Sequence, residues 1–300
     1  MLKTIIVGID GQTGGSDALA LATAVADERA RILLVNVFPY EARPSRGSLA
    51  GYEEILRADS EALLKEAANG RTDVECKAVA GLAPARTLQQ LAEDEHADLI
   101  VMGSSHHGPV GRLLAGDTAR ATLHGAPCPV AIAPHDYDQP RTSTLTVGVG
   151  IDGTPAAKVA LTWADQLAGD LGGSLHLRAC SFVSVFDSRI YTSGIETLEE
   201  DHRAALQHEL DQQGAQVRVS HTAEVTLGHP HRQLTALSES VDLLVIGSRG
   251  WGPAKRVFAG STGDYLSHHS HCPLLVVPRP QDDASDAPRT GSDEEGQFRP

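Results

Sequence analysis

The chain of 300 residues repeats one succession of segments, in the same order and at a spacing of 142 to 147 residues. Solenoid repeats are much shorter, at roughly 20 to 50 residues, so this spacing indicates two copies of a whole domain. Each copy must complete its own core within about 140 residues, which is a normal domain size. The matching segments are Thr4–Gly11 with Thr146–Gly153, Gly81–Ala92 with Gly228–Leu237, Ala97–Ser105 with Val241–Arg249, and Cys128–Pro134 with Cys272–Pro278.

Each copy alternates short apolar runs with segments of helical pattern. In the first copy, Thr4–Ile9 and Ile32–Phe38 are strand-like, and we predict helices over Ser16–Ala30, capped by Ser16, and over Leu113–His124. Nearly continuous apolar strands separated by helices are typical of a parallel sheet covered on both faces. We therefore predict an α/β fold of two tandem flavodoxin/Rossmann-like doubly wound domains, each with a five-stranded parallel sheet. Ligands of such sheets bind beyond the carboxyl ends of the strands.

The predicted boundaries follow the repeats. The first domain covers residues 1–136 and the second covers residues 143–280, with a short polar linker between them. Residues 281–300 carry six acidic and two basic side chains and no apolar periodicity, so we expect a disordered acidic tail.

Composition excludes several classes of partner. The net charge is −14 and aromatic residues make up only 4% of the chain, so we expect no binding to nucleic acid or to anionic membranes. No apolar run approaches the roughly 18 residues of a spanning helix. The four cysteines lie far apart, and the first strand follows Met1 almost directly, so we expect a cytoplasmic protein without disulfides.

The stretch from Gly247 to Thr262 contains the strongest functional signal. It follows an apolar strand, contains several spaced glycines, and ends on Ser261 and Thr262 where a helix is predicted to begin. Glycines allow backbone N–H groups to approach a phosphate closely, and a helix N-terminus favours an anion. The pattern predicts a polyphosphate held by backbone amides and hydroxyls.

The spacing G-x2-G-x9-G-[ST] after the fourth strand resembles the universal stress protein family. The turn Ile-Asp-Gly after the first strand and the segment that begins Cys-Pro and ends on proline also resemble that family, in a tandem form that covers Thr4 to Pro278. The resemblance implies binding of ATP by the second copy, and Mg²⁺ is expected to accompany the triphosphate. It implies contacts from Asp152 and Ala179 to the nucleoside, from Ile246 and Gly247 at the pocket floor, and from Arg249, Gly250, Gly260, Ser261 and Thr262 around the phosphates.

The resemblance also implies an assembly. The strand order of each domain would be 3-2-1-4-5, and the two domains would pair through the edges of their fifth strands. The sequence leaves open whether two such chains form a homodimer, and we expect a regulatory protein partner that the sequence does not identify.

The first copy departs from this pattern. It keeps Gly103 and Gly116, and Asp10 and Val37 also match, but His106 and Asp117 stand where a glycine and the serine are expected. A carboxylate at the serine position would repel phosphate. We expect the first site to be weak, altered or empty.

Three functions remain open from the sequence. We favour an ATP-binding regulatory protein of the stress response, with no catalytic residue and no metal-ligating side chain assigned. The alternatives are a slow ATPase or adenylyl-transferring enzyme, and a scaffold that binds no nucleotide.

Two further motifs have simpler interpretations than a binding site. The segment "GVGIDG" (Gly148–Gly153) is interpreted as a strand and turn instead of a dinucleotide site. The histidines of His268–His271 are interpreted as an exposed helix end instead of a metal cluster.

Overall fold

The structure is a computed structural model that describes residues 2–41, 50–104, 112–137, 144–181, 195–248, 257 and 259–278. Both copies contain five strands and four helices in these residues. The first copy consists of β1 (Thr4–Gly8), α1 (Thr13–Val25), β2 (Arg31–Phe38), α2 (Ala50–Ala68), β3 (Val74–Ala80), α3 (Pro84–Asp94), β4 (Leu99–Gly103), α4 (Asp117–Leu123) and β5 (Val130–Ala133). The second consists of β6 (Thr146–Ile151), α5 (Pro155–Asp170), β7 (Ser174–Ser181), α6 (Ile195–Gly214), β8 (His221–Leu227), α7 (Pro230–Ser238), β9 (Leu243–Gly247), α8 (Ser261–His269) and β10 (Leu274–Val277).

The ten strands form one sheet in the order β3-β2-β1-β4-β5-β10-β9-β6-β7-β8. All pairs within a copy are parallel, and the central pair, β5 with β10, is antiparallel. The predicted α/β class and the order 3-2-1-4-5 in each copy are therefore confirmed.

The two copies meet through the fifth strands, as the resemblance implied. Val130 pairs with Val276 and Ile132 with Leu274, and every residue of β5 and β10 is buried. This pairing covers an edge that would otherwise expose unpaired backbone groups. The outer strands of the sheet are β3 and β8.

The core continues across this junction on both faces of the sheet. Alternate residues of β5 and β10 face opposite sides, so Ala131 packs with Leu275 in one apolar cluster while Ile132 packs with Leu274 in the other. Both clusters draw buried residues from both copies. The two copies are thus joined by packing as well as by strand pairing.

Backbone hydrogen bonds tie the segments before the last helices to the opposite copy. The N–H of Leu113 donates to the carbonyl of Ser270 at 2.8 Å, and the N–H of Val257 donates to the carbonyl of Ala126 at 2.9 Å. These two bonds are equivalent, because both donors and both acceptors occupy corresponding positions of the two copies, 144 residues apart. Each copy therefore holds the chain that leads into the last helix of the other.

Two predicted helix starts are wrong, and α1 ends at Val25 instead of Ala30. Helix α1 begins at Thr13, because Gly11 has a positive φ of 80° and the Asp10 carboxylate accepts a hydrogen bond from the N–H of Gln12, which turns the chain early. Ser16 lies inside the helix. Helix α4 begins at Asp117 instead of Leu113, because the backbone of Gly116 is extended (φ −71°, ψ 170°) and the chain before it is bonded to the other copy through Leu113 and Ala115.

No helix in the described part of the chain is long and apolar enough to cross a membrane. The boundaries of the two domains stay predictions. The predicted tail, 281–300, and most of the linker lie outside the described residues.

Candidate functional site

In the second copy, the carboxyl ends of three neighbouring strands meet at one edge of the sheet. Strand β6 lies between β9 and β7, where Ile151 pairs with Ala179 and Val149 pairs with Val245. Asp152 follows β6 and is exposed, whereas Ala179 is buried within β7. This is the switch point of the strand order, where ligands of doubly wound sheets bind.

The turn after β6 fixes the position of Asp152. Its Oδ1 accepts hydrogen bonds from the N–H of Thr154 at 3.1 Å and from the Thr154 hydroxyl at 2.6 Å. Gly153 has a positive φ of 76°, which a glycine adopts without strain. The Thr154 hydroxyl also accepts from the N–H of Ala157 and so caps α5. The carboxylate of Asp152 is held at the mouth of the site by this turn.

The glycines of "GVGIDG" have packing and turn roles. A β-carbon on Gly148 would lie 3.0 Å from Leu237, and one on Gly150 would lie 3.1 Å from Leu234, both on α7. Gly153 is the turn residue described above. These observations favour the strand-and-turn interpretation over a dinucleotide site.

Helix α8 begins beside these strand ends. The first N–H groups of α8, as of any helix, have no intrahelical acceptor, and its N-cap residue Gly260 has no side chain that could accept from them. Ser261 is exposed and Thr262 is half-buried. A β-carbon on Gly263 would lie 3.3 Å from Ile246, so the first turn of α8 rests on the end of β9. Backbone donors and two hydroxyls are thus brought next to Ile246.

Gly247 is required by close packing. A β-carbon on it would lie 2.5 Å from the carbonyl carbon of Ala156, at the start of α5. The first copy shows the same approach, because a β-carbon on Gly103 would lie 1.9 Å from the carbonyl oxygen of Gly14. In both copies this glycine lets the helix after the first strand reach the end of the fourth strand. Arg249 and Gly250, the other predicted contacts, lie outside the described residues.

The first copy encloses a cavity at the equivalent place. Its volume is about 380 Å³, and it lies between the ends of β1, β2 and β4 and the start of α4. The four candidate residues of this copy all line it, together with the deviating aspartate: Asp10, Val37, Gly103, Gly116 and Asp117. The structure therefore brings these residues together.

Sequence reasoning missed one repeated serine. Ser104 follows β4, is buried, and its hydroxyl accepts a hydrogen bond of 2.6 Å from the N–H of Leu114. Its counterpart Ser248 is also buried, and the backbone N–H groups of both residues donate to the ends of β5 and β10. The signal was present in the sequence, because both copies read Gly-Ser at this point.

A group of rings between α7 and α8 was also missed. The rings of Tyr265 and His269 stack at 3.9 Å, and His231 lies 4.5 Å from Tyr265. The pKa of His231 is lowered, mainly by burial and to a smaller extent by the positive charge of the nearby His229, Arg232 and His269.

The described histidines and cysteines form no metal site. Among the residues that the structure describes, no three His, Cys, Asp or Glu side chains are grouped closely enough to hold a metal ion. Burial raises the pKa of Cys272 to about 12, so its thiol is not a reactive thiolate.

Comparison with known proteins agrees with the duplicated fold. The sequence model of the universal stress protein family matches residues 1–134 and again residues 144–278. A universal stress protein of Mycolicibacterium smegmatis is 30% identical over 64% of this chain and 65% of its own length. One of Mycobacterium tuberculosis is 28% identical over 91% of this chain and 96% of its own length. The chain thus spans just under two thirds of the first relative and nearly all of the second.

A solved structure shows the same architecture. The crystal structure of a universal stress protein from Archaeoglobus fulgidus DSM 4304 has a TM-score of 0.68 at 21% identity, covering 92% of this chain and 98% of that one. At this identity the likeness shows the fold alone. Because the family model matches both halves of the sequence, the chain belongs to the universal stress protein family and carries two copies of its domain.

Proposed function

We propose that this chain is an ATP-binding regulatory protein of the stress response, and that its second copy holds the nucleotide. The observation that carries the proposal is the start of α8, where uncapped N–H groups and the hydroxyls of Ser261 and Thr262 lie beside the strand ends. Such a helix start stabilises phosphate through its amides and its dipole. The family resemblance supports ATP as the ligand.

The other predicted contacts have chemistry suited to the remaining parts of ATP. The Asp152 carboxylate can accept hydrogen bonds from ribose hydroxyls. The backbone N–H and C=O of Ala179 face β8, like those of Leu175 and Ser181, and its carbonyl accepts from the Thr226 hydroxyl, so they are turned away from the site. The backbone of the next residue, Cys180, faces the β6 side and offers a donor and an acceptor to the base. Gly247 and Ile246 form the floor. We propose that Arg249 and Gly250 contact the phosphates and that Mg²⁺ is held chiefly by phosphate oxygens.

The two copies differ in charge at one decisive position. Asp117 is the first residue of α4, as Ser261 is of α8. A carboxylate about 4 Å from a phosphate costs about 1 to 4 kcal/mol at the effective dielectric constants of protein surfaces and water. We therefore propose one ATP per chain.

Nucleotide occupancy regulates only if ATP binds two states of the protein with different affinity. The sequence indicates the loop around Trp251 and the segment Ser181–Gly194 as the candidates for this change of state, and apart from Ser181 that segment and Trp251 lie outside the described residues. A regulatory protein partner stays a prediction, and the formation of a homodimer stays open. The four unpaired cysteines favour a reducing compartment, and we propose the cytoplasm.

The test is to identify and count the nucleotide released when freshly purified protein is denatured in acid. We expect about one ATP per chain, and at least a tenfold loss of affinity in Ser261→Asp. The control is Thr162→Ala, which removes an exposed hydroxyl on α5 and should leave ATP unchanged. No binding at millimolar ATP with Mg²⁺ would refute the proposal and favour the scaffold. ADP or AMP formed from added ATP would favour the enzyme.

A further inference from the structure

The cavity of the first copy has the size of a small-molecule site. Its volume of about 380 Å³ falls within the range of roughly 300 to 1,000 Å³ that ligand pockets occupy. Apolar side chains such as Leu88 and Met102 form part of its wall, and glycine backbone forms another part. The cavity lies at the switch point of a doubly wound sheet, where ligands of this fold class bind.

The charge of the wall excludes one class of ligand. The charged side chains among the described lining residues are Asp10 and Asp117, both carboxylates, and no Lys, Arg or His is found among those residues. Asp117 stands at the place where the second copy has Ser261. A nucleoside triphosphate in this cavity would bring several negative charges towards a carboxylate without a described cation to offset them. An uncharged ligand meets no such repulsion.

One edge of the cavity is formed by backbone groups of β2 beyond the end of β1. The N–H of Ile9 donates to the carbonyl of Val35 at 2.8 Å, and the N–H of Gly81 donates to the carbonyl of Phe38 at 3.0 Å. Backbone groups of successive strand residues point to opposite sides, so the N–H and C=O of Val37 face the β1 side. Strand β1 ends at Gly8, and Val37 lines the cavity. A donor and an acceptor therefore face the space beyond the end of β1.

These groups complement an uncharged, hydroxyl-bearing heterocycle. A planar ring with one donor and one acceptor on its edge pairs with the backbone of Val37, and Asp10 and Asp117 accept hydrogen bonds from hydroxyl groups. A nucleoside has both features and no phosphate. The choice of a nucleoside over other heterocycles rests on the proposed function of the second copy, and the exclusion of phosphate rests on the cavity itself.

We propose that the first copy binds an uncharged nucleoside and excludes nucleoside triphosphates. The chain then has two related sites that differ in the charge they accept. One site responds to ATP, and the other responds to the nucleoside that remains when all the phosphates are lost.

The experiment is isothermal titration calorimetry on the full chain, with adenosine and ATP as probes. Adenosine is titrated into protein saturated with ATP and Mg²⁺, and we expect one adenosine to bind per chain. In Asp117→Ser, which gives the first copy the residue of the second, ATP should bind at two sites per chain. The affinity of the first copy for ATP should rise at least tenfold, and saturating ATP should then block adenosine.

The control separates a local effect from a change in net charge. Asp94→Asn removes one exposed carboxylate at the end of α3 that does not line the cavity, and the ATP stoichiometry should stay at one. ATP is titrated with and without Mg²⁺, because a divalent ion could bridge Asp117 and phosphate. Two ATP per wild-type chain with Mg²⁺ would overturn the exclusion of triphosphates.

Failure of this inference is distinguishable from failure of the proposed function. If wild-type protein binds no ATP but one adenosine per chain is bound and Asp117→Ser gains an ATP site, the proposal for the second copy fails and this one stands. If ATP binds once but adenosine does not bind to the ATP-saturated chain, or if Asp117→Ser still binds one ATP, the inference is overturned.

Discussion

The N–H of Leu113, in the first copy, donates a hydrogen bond of 2.8 Å to the carbonyl of Ser270, just beyond the end of α8 in the second. The N–H of Ala115 donates likewise to the carbonyl of Ser267, at 2.9 Å. Both donors precede α4 and its first-copy cavity. The proposed ATP site at the start of α8 is therefore connected to the first copy through one helix and two backbone hydrogen bonds.

We predict that ATP slows amide exchange at Leu113 and Ala115. A ligand at the start of α8 stabilises this helix, and the two acceptors are the carbonyl of Ser267 within it and that of Ser270, the residue that follows it, so local opening of both bonds becomes rarer. Hydrogen exchange followed by mass spectrometry would measure the peptide that contains residues 112–116. Protection confined to the second copy would contradict this coupling, and Ser261→Asp should abolish the effect.

A second prediction concerns the junction of the two copies. Ile132 and Leu274 are fully buried and face each other across β5 and β10. Each substitution to alanine should lower the free energy of unfolding by about 2 to 5 kcal/mol. Because the two side chains are in contact, the loss of unfolding free energy in the double variant should differ from the sum of the two single losses by roughly 0.5 to 3 kcal/mol.

The measurement is urea denaturation of the two single variants and the double variant. Leu64→Ala serves as the reference partner, because Leu64 is buried in the cluster on the other face of the sheet. Its effect should add to that of Leu274→Ala. Additive effects of Ile132→Ala and Leu274→Ala would show that the two copies do not share this part of the core.

The third prediction tests the close approach at the end of β9. Gly247→Ala would place its β-carbon 2.5 Å from the backbone of Ala156, so strand or helix must shift, at a cost of about 1 to 3 kcal/mol or more. Gly51→Ala is the matched control. Gly51 lies in α2 with nothing within 4 Å of the added carbon, and there alanine should raise stability by about 0.5 to 1 kcal/mol. Equal thermal stability of both variants would contradict the packing role.

The sequence predicted the parts of the fold that repeat or follow a simple period. The apolar strands predicted the parallel sheet, and the resemblance predicted the pairing of β5 with β10. Helix starts were less predictable, because Ser16 has the chemistry of a cap but the turn at Asp10 and Gly11 begins α1 before it. The segment before α4 is not helical, and it is held by a hydrogen bond from Leu113 to a residue 157 positions away, which no local pattern contains.

The sequence predicted the parts of the candidate site that depend on which residue stands at a motif position, and it did not predict the parts that depend on how far apart the elements lie. Asp117 was recognised as a departure from the motif, and the sequence alone led us to expect a weak, altered or empty site. The cavity that Asp117 lines depends on where β1 ends relative to Val37. The role of Gly247 likewise became apparent only from its distance to Ala156, because a glycine required by packing and one required by phosphate look the same in a sequence.

The last prediction concerns acid stability and begins from Glu95, at the end of α3. Its carboxylate pairs with the Arg31 guanidinium at 2.8 Å and with the Lys77 ammonium. These hydrogen bonds, Arg31 first, lower the pKa of Glu95 from 4.5 to about 2. The folded state therefore holds this proton less tightly than the unfolded state does.

The sign of the pH dependence follows from this shift. The stabilisation from Glu95 is complete above about pH 4.5 and is lost as the pH falls towards about 2, where the folded carboxylate also becomes protonated. Because Arg31 and Lys77 are 37% and 42% exposed, solvent screens the pair, and Glu95→Gln should cost only about 1 kcal/mol at neutral pH. The difference between wild type and Glu95→Gln should narrow steadily as the pH falls below about 4.5.

Urea denaturation at about pH 7, 5 and 3 measures this difference. Glu66→Gln, which changes an exposed carboxylate on α2, should leave the free energy of unfolding nearly unchanged at each pH. If Glu95→Gln and wild type instead differ by the same amount at about pH 7 and 3, the ion pairs of Glu95 do not supply the stability that acid removes. The acid sensitivity of the fold would then have to come from other carboxylates, such as Asp165. Burial raises the pKa of Asp165, but hydrogen bonds from Arg218 outweigh this effect and lower it.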